Sequence, residues 1–175
     1  MKKINHILES NKVFLLIMLG FISTSFIRIS YIILNINTNL LGVLTKLNLN
    51  PLFLSGILLI LNVSFIAIYA NLIYFTISVL NNKFEEIPEM KTISKLIKRI
   101  CYYSCMIPSI LNSVFLTIHM KATQSEIVPF NFNTIIVSFI TSLLLFILLK
   151  NIIKAKKISM IIPSLFFIMN VIPIA

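Results

Sequence analysis

An all-α, polytopic integral membrane bundle of about five transmembrane helices is the fold class this chain predicts, with the N-terminus cytoplasmic and the C-terminus external. Three observations lead there. Of 175 residues, 58% are apolar and only 11% charged, against roughly a quarter charged in a soluble domain. So short a chain cannot hide that much hydrocarbon from water, because small domains keep a large share of their surface exposed. The apolar residues gather in five long runs separated by short polar segments, and the lysines fall in every second segment. All of residues 1–175 therefore reads as one membrane domain.

The first run, residues 13–34, is long enough to cross a hydrocarbon core of about 30 Å at about 1.5 Å per residue. Lys2 and Lys3 precede it, as in a secretory signal, but the run exceeds the usual apolar core of such signals and no small-x-small site follows. It reads as a retained anchor. Asn50-Pro51 opens the second run, residues 51–80, with Asn as N-cap and Pro at the first helical position, where its missing N–H costs nothing. The third run, residues 100–120, contains Pro108, which a membrane helix tolerates when neighbours satisfy the freed carbonyl. Residues 132–149 form the fourth run. Residues 158–175 form the fifth, the shortest, with Pro163 and Pro173 inside it.

Between the second and third runs, Pro88 predicts a helix start with Glu89 in its first turn, where the helix dipole favours an acid. Ile93, Leu96, Ile97 and Ile100 make an apolar stripe, and Lys91, Lys95, Lys98 and Arg99 cover much of the rest. Residues 88–99 thus predict a basic amphipathic segment lying on an anionic leaflet.

Orientation follows from the lysines. If all five runs cross, one side holds twelve basic residues: Lys2, Lys3, Lys12, Lys83, Lys91, Lys95, Lys98, Arg99, Lys150, Lys154, Lys156 and Lys157. The other side holds Lys46 and Lys121, with Arg28 left inside the first span. Short loops rich in Lys and Arg stay cytoplasmic, which places the N-terminus inside. Lys91, Lys95, Lys98, Arg99, Lys150, Lys154, Lys156 and Lys157 are the expected membrane-surface collar, facing an anionic inner leaflet. The net charge of +10 does not point to nucleic acid, because the cations sit between apolar runs and not along one soluble face.

Candidates for chemistry are few. Glu85-Glu86 is similar to the paired glutamates of the CAAX-type membrane proteases, but position 90 is Met where that pattern carries Arg. The only later histidine, His119, belongs at the opposite membrane face. Cys101 and His6 share the cytoplasmic side without a supporting spacing. Cys101 and His119 share a helix face but lie about 27 Å apart along it, too far to share a metal. Cys101 and Cys105 read as buried thiols, or as juxtamembrane acylation sites. No enzyme activity, cofactor or metal is expected.

The polar residues inside spans are the remaining candidates. Arg28 lies near the outer end of the first span, where it can snorkel outward or meet Glu126, the only acid expected outside. Asn62, in a seven-residue repeat with Ser55 and Tyr69, and Asn112, one turn past Pro108, are expected to face other helices as hydrogen-bonding contacts.

The order of features resembles the Yip domain family of five-span membrane proteins, and the local likeness is the basic-to-aromatic entry KLIKRICYYSCMIPSIL, Lys95 to Leu111, with Ser104 and Pro108 in place of that family's Ser-to-Pro step. The glycine-rich run that often precedes this entry is replaced here by EEIPEMKT. The resemblance implies five spans, a cytoplasmic N-terminus and a non-enzymatic role as an accessory that binds or modulates another membrane component. Two alternatives stay open: an immunity protein against a membrane-active peptide, and a small transporter or channel subunit. Abundant Lys, Ile and Asn beside scarce Arg fit an AT-rich bacterial genome, hence the bacterial cytoplasmic membrane.

Overall fold

In hydrocarbon a backbone must satisfy its own hydrogen bonds, so apolar runs of this length become helices. A computed structural model describes residues 7–36, 50–87, 89–123 and 130–171, and among these there is no strand. Helix α1 runs Asn11–Tyr31 and widens into π-helical turns over Ile32–Ile36. Helix α2 covers Pro51–Phe84 and α3 covers Ser94–Thr123. Helix α4 covers Phe130–Leu148 and continues in π-helical form over Leu149–Ile153; α5 covers Lys156–Val171. Four segments are long and apolar enough to cross a membrane: Asn11–Leu34, Pro51–Phe84, Ser94–His119 and Ile135–Ile153. The fifth run is represented by α5, whose 16 residues reach about 24 Å. Residues 172–175 lie outside the described residues.

Local chemistry sets the boundaries. Asn50 is extended, with φ −71° and ψ 123°, and its side chain accepts a hydrogen bond from the Leu52 N–H at 2.9 Å. Asparagine capping followed by Pro51 is the start expected of α2. The helix then runs one turn beyond residue 80, ending at Glu85 in the left-handed region at φ 52°. There Asn81 folds its amide onto Ile87: Nδ2 donates to the Ile87 carbonyl at 3.1 Å, and the Ile87 N–H donates to Oδ1 at 2.7 Å. This two-way clasp closes the turn after α2 and buries Ile87.

The clasp also corrects the expected helix over residues 88–99. With both polar groups of Ile87 held by Asn81, the chain leaves in turns, Met90 N–H to Ile87 carbonyl and Ile93 N–H to Glu89 carbonyl. The helix begins at Ser94, so Glu89 and Lys91 sit in turns, not in a first helical turn; Pro88 lies outside the described residues. From Ser94 the helix runs unbroken into the third span. Its apolar stripe faces protein: Leu96, Ile97 and Ile100 are buried in the main core with Ile73, Ile77, Leu145, Leu149 and Ile158.

Helix α3 is the centre of the bundle. It packs on α1, α2 and α4, while α5 closes the group against α4 and α2. Of the four spanning segments it is the least apolar and the most buried. The two facts have one cause: a helix surrounded by protein needs no continuous lipid-facing surface, and small residues let neighbours approach closely. Cys101, Ser104, Cys105 and Ser113 are all buried along it. Pro108, also fully buried, leaves the Ser104 carbonyl without its helical N–H partner, yet the helix continues through it. By contrast α2 turns Phe53, Ile60, Phe65, Ile68 and Phe75 outward, and buries Ser55, Ala70, Ile73 and Ile77 on the opposite face. That outward face is a lipid surface by composition.

Asn81→Ala removes both bonds of the clasp and strands the buried Ile87 N–H, while the Ile87 carbonyl keeps the Met90 N–H, a loss of about 2 kcal/mol. Thermal unfolding in detergent should place its midpoint clearly below wild type, while the exposed neighbour change Asn82→Ala leaves it nearly unmoved.

Candidate functional site

The packing brings three stretches of sequence to one end of the bundle: the start of α1, the α2–α3 connection with the start of α3, and the two-residue turn between α4 and α5. Lys83, Lys91, Lys95, Lys98, Arg99, Lys150, Lys154, Lys156 and Lys157 all lie there. All but Arg99 are exposed. Several lay their stems and charges across aromatic rings: Lys98 over Tyr74 at 4.9 Å, Lys150 over Phe146 at 5.1 Å, and Lys157 over Phe84 at 5.3 Å. A lysine so placed buries its hydrocarbon while its ammonium stays near water or headgroups. Lys154 terminates the π-helical extension of α4 in the left-handed region, φ 61°, and Ala155 behind it is buried.

Arg99 departs from the expected collar. It is 8% exposed, and its guanidinium is spent inside the protein. One nitrogen donates to the Leu8 carbonyl at 3.3 Å, a second donates to Asn11 Oδ1, and the Phe14 ring lies 5.5 Å away. The Tyr103 hydroxyl donates to the same Leu8 carbonyl at 3.0 Å. Residues 7–9 are helical, so Leu8 offers one of the carbonyls that a helix end leaves unpaired, and a cation there is favoured. Arg99 therefore fastens the segment before α1 to the central helix.

Glu86 has a comparable task. Its carboxylate accepts from the Lys157 N–H at 2.9 Å and the Ile158 N–H at 3.0 Å, capping α5 from a different segment of the chain. A negative charge on a helix N-terminus stabilises it through both hydrogen bonds and dipole. The paired glutamates are thus divided: Glu85 makes the left-handed exit of α2, and Glu86 caps α5. Sequence reasoning missed this role and that of Asn81. The available signal was Glu86 in a turn between lysine-rich segments, with no acid at the start of the fifth run.

The polar residues within the spans are dispersed. Arg28 is half-buried near the far end of α1, one turn beyond Thr24, whose hydroxyl donates to the Gly20 carbonyl at 2.8 Å. Glu126 lies outside the described residues, and so does the Arg28–Glu126 contact. Asn62 is half-buried on α2, on the face shared by buried Ser55 and by Tyr69, whose ring packs 4.3 Å from Phe166 of α5. Asn112 borders an apolar cavity of about 240 Å³ between α3 and α4, and its Oδ1 is buried with no partner among the described residues. Cys101 and Cys105 are free, buried thiols. His119 stacks on Phe115 at 6.1 Å, five helical turns from Cys101. His6 lies outside the described residues. Among the described residues no three His, Cys, Asp or Glu side chains gather as a metal group.

Compared with family models, curated proteins and solved structures, the chain shows no significant match.

Arg99→Met strips the Asn11 amide oxygen of its partner and leaves the Leu8 carbonyl to the Tyr103 hydroxyl, a cost of about 2 kcal/mol for the lost charge-assisted bonds. Limited trypsinolysis in detergent should cut the variant at Lys12 faster than wild type. Lys98→Gln, which removes an equal charge from an exposed position one residue away, should not change that rate.

Proposed function

We propose that this chain is a non-enzymatic, multi-pass accessory protein of the bacterial cytoplasmic membrane that binds or modulates another membrane component. Its basic end lies on the anionic inner leaflet, its N-terminus is cytoplasmic, and α5 completes a fifth crossing that puts the C-terminus outside. One observation carries the reading: cations from two separate stretches of sequence, the α2–α3 connection with its flanking helix ends and the α4–α5 turn with its flanks, share one end of a helical bundle whose other faces are apolar. A cation near an anionic leaflet contributes about 1 kcal/mol, so a ring of exposed lysines holds that end firmly at the headgroups. Positive residues retained on the cytoplasmic side account for the same distribution.

The accessory role is supported by how the polar side chains are used. Glu86, Arg99, Asn81 and Tyr103 all serve contacts within the chain, and the thiols are buried. The long outward face of α2, with Phe53, Phe65 and Phe75, suits lipid or a partner's helix. The likeness of Lys95 to Leu111 to the entry into span three of the Yip domain family favours the same role.

Fluorescent-protein fusions at residues 90 and 155 should glow, and alkaline phosphatase fused after residue 175 should be active, since each reporter works on one side only. Phosphatase activity at 90 or 155 sinks the topology. Mild-detergent purification of the tagged chain should then retain one membrane protein in fixed ratio; a chain that purifies alone at every detergent tested would remove the accessory role.

A further inference from the structure

At the basic end the start of α1 and the first turns of α3 leave between them a cleft of about 340 Å³ lined by Phe14, Ser94, Lys95, Lys98, Arg99 and Tyr102. We infer that this cleft is a binding site for the phosphate of an anionic phospholipid headgroup. The inference deepens the membrane-surface reading above and rests on it only in placing the cleft among headgroups.

Five features of the cleft point to an anion. Its three cations come from a turn and a half of one helix, at spacings of three and four residues, where like charges destabilise a helix unless an anion sits between them. Their contacts among the described residues are a carbonyl, an amide and aromatic rings, so no carboxylate of the chain neutralises them: Arg99 meets Leu8, Asn11 and Phe14, and Lys98 meets the Tyr74 ring. Arg99 is held by those bonds and buried, so its charge forms a fixed floor, whereas Lys95 and Lys98 are exposed at the rim. The walls are aromatic and mutually braced. Phe14 and Tyr102 meet edge to face at 5.8 Å, and the Tyr102 hydroxyl accepts from Asn71 Nδ2 of α2 at 3.2 Å. The start of α3 adds its positive dipole end to the same space. A compact dianion or monoanion on a lipid glycerol fits this chemistry. Basic pockets between membrane helices at the cytoplasmic side are the setting in which headgroups are held.

The experiment is native mass spectrometry of the full-length chain in detergent, with phosphatidylglycerol or phosphatidylcholine added; it depends on neither orientation nor a protein partner. The expected result is one phosphatidylglycerol retained per chain in preference to phosphatidylcholine. Lys95→Gln with Lys98→Gln should lower that retention by about tenfold or more, two surface cations being lost, and Lys95→Arg with Lys98→Arg should restore it. Lys150→Gln with Lys156→Gln removes equal charge from the same end and should leave retention unchanged. Equal loss in both Gln doubles would overturn the site, as would no loss in either. Inorganic phosphate is the second probe: failure to displace the lipid supports the headgroup as ligand, and full displacement replaces it with free phosphate.

Discussion

A helix that ends inside or beside a bilayer leaves unpaired backbone groups where water is scarce, and each must find a partner in the chain. The structure depends on how this constraint is met at one end of the bundle. Three polar side chains meet it there. Asn81 clasps both backbone groups of Ile87, Glu86 receives two N–H groups from the start of α5, and Arg99 holds the Leu8 carbonyl ahead of α1. Each ties one helix end to a different element. Together they fix α1, α3 and α5 around the end of α2, and the core of Ile73, Ile77, Ile97, Ile100, Leu149 and Ile158 forms directly beneath them.

That arrangement divides the charged residues into two populations. Arg99 and Glu86 are internal fasteners, one bonding a carbonyl and an amide, the other bonding N–H groups. Arginine suits the buried role because its planar, weakly hydrated guanidinium presents several donors in fixed directions. The exposed Lys98, Lys157 and Lys150 set their ammonium groups over the rings of Tyr74, Phe84 and Phe146, contacts that leave the positive charge unneutralised. The chain's only described acids are at or near this same end, and Glu86 is spent on α5. The lysines therefore keep their positive charge, and the cleft beside Arg99 gathers three cations of α3.

The opposite use of polarity runs through the centre. Helix α3 carries Cys, Ser and a proline where a lipid-facing helix would carry leucine, and it is the helix surrounded by protein. Its serines return their hydroxyls to carbonyls a turn back, Ser104 to Ile100 and Ser109 to Cys105, each at 2.8 Å, so small polar side chains cost little in the interior. The apolar α2 turns a long apolar face outward.

The sequence by itself determined the all-helical fold and its long apolar segments. Apolar runs are local properties of consecutive residues, and a backbone that must satisfy its own hydrogen bonds leaves them one answer. The cap of α2 at Asn50-Pro51 was legible for the same reason, since donor and acceptor are two residues apart. The apolar stripe of residues 93–100 was legible too, but whether it faced lipid or protein was not, because periodicity locates a face without naming its neighbour. Only the tertiary structure decided that Arg99 is buried while Lys98 is not, and that Glu86 caps α5. Those outcomes rest on partners 91 and 71 residues distant. A side chain's task at such separations is set by which helices pack together, and no window along the chain contains that information.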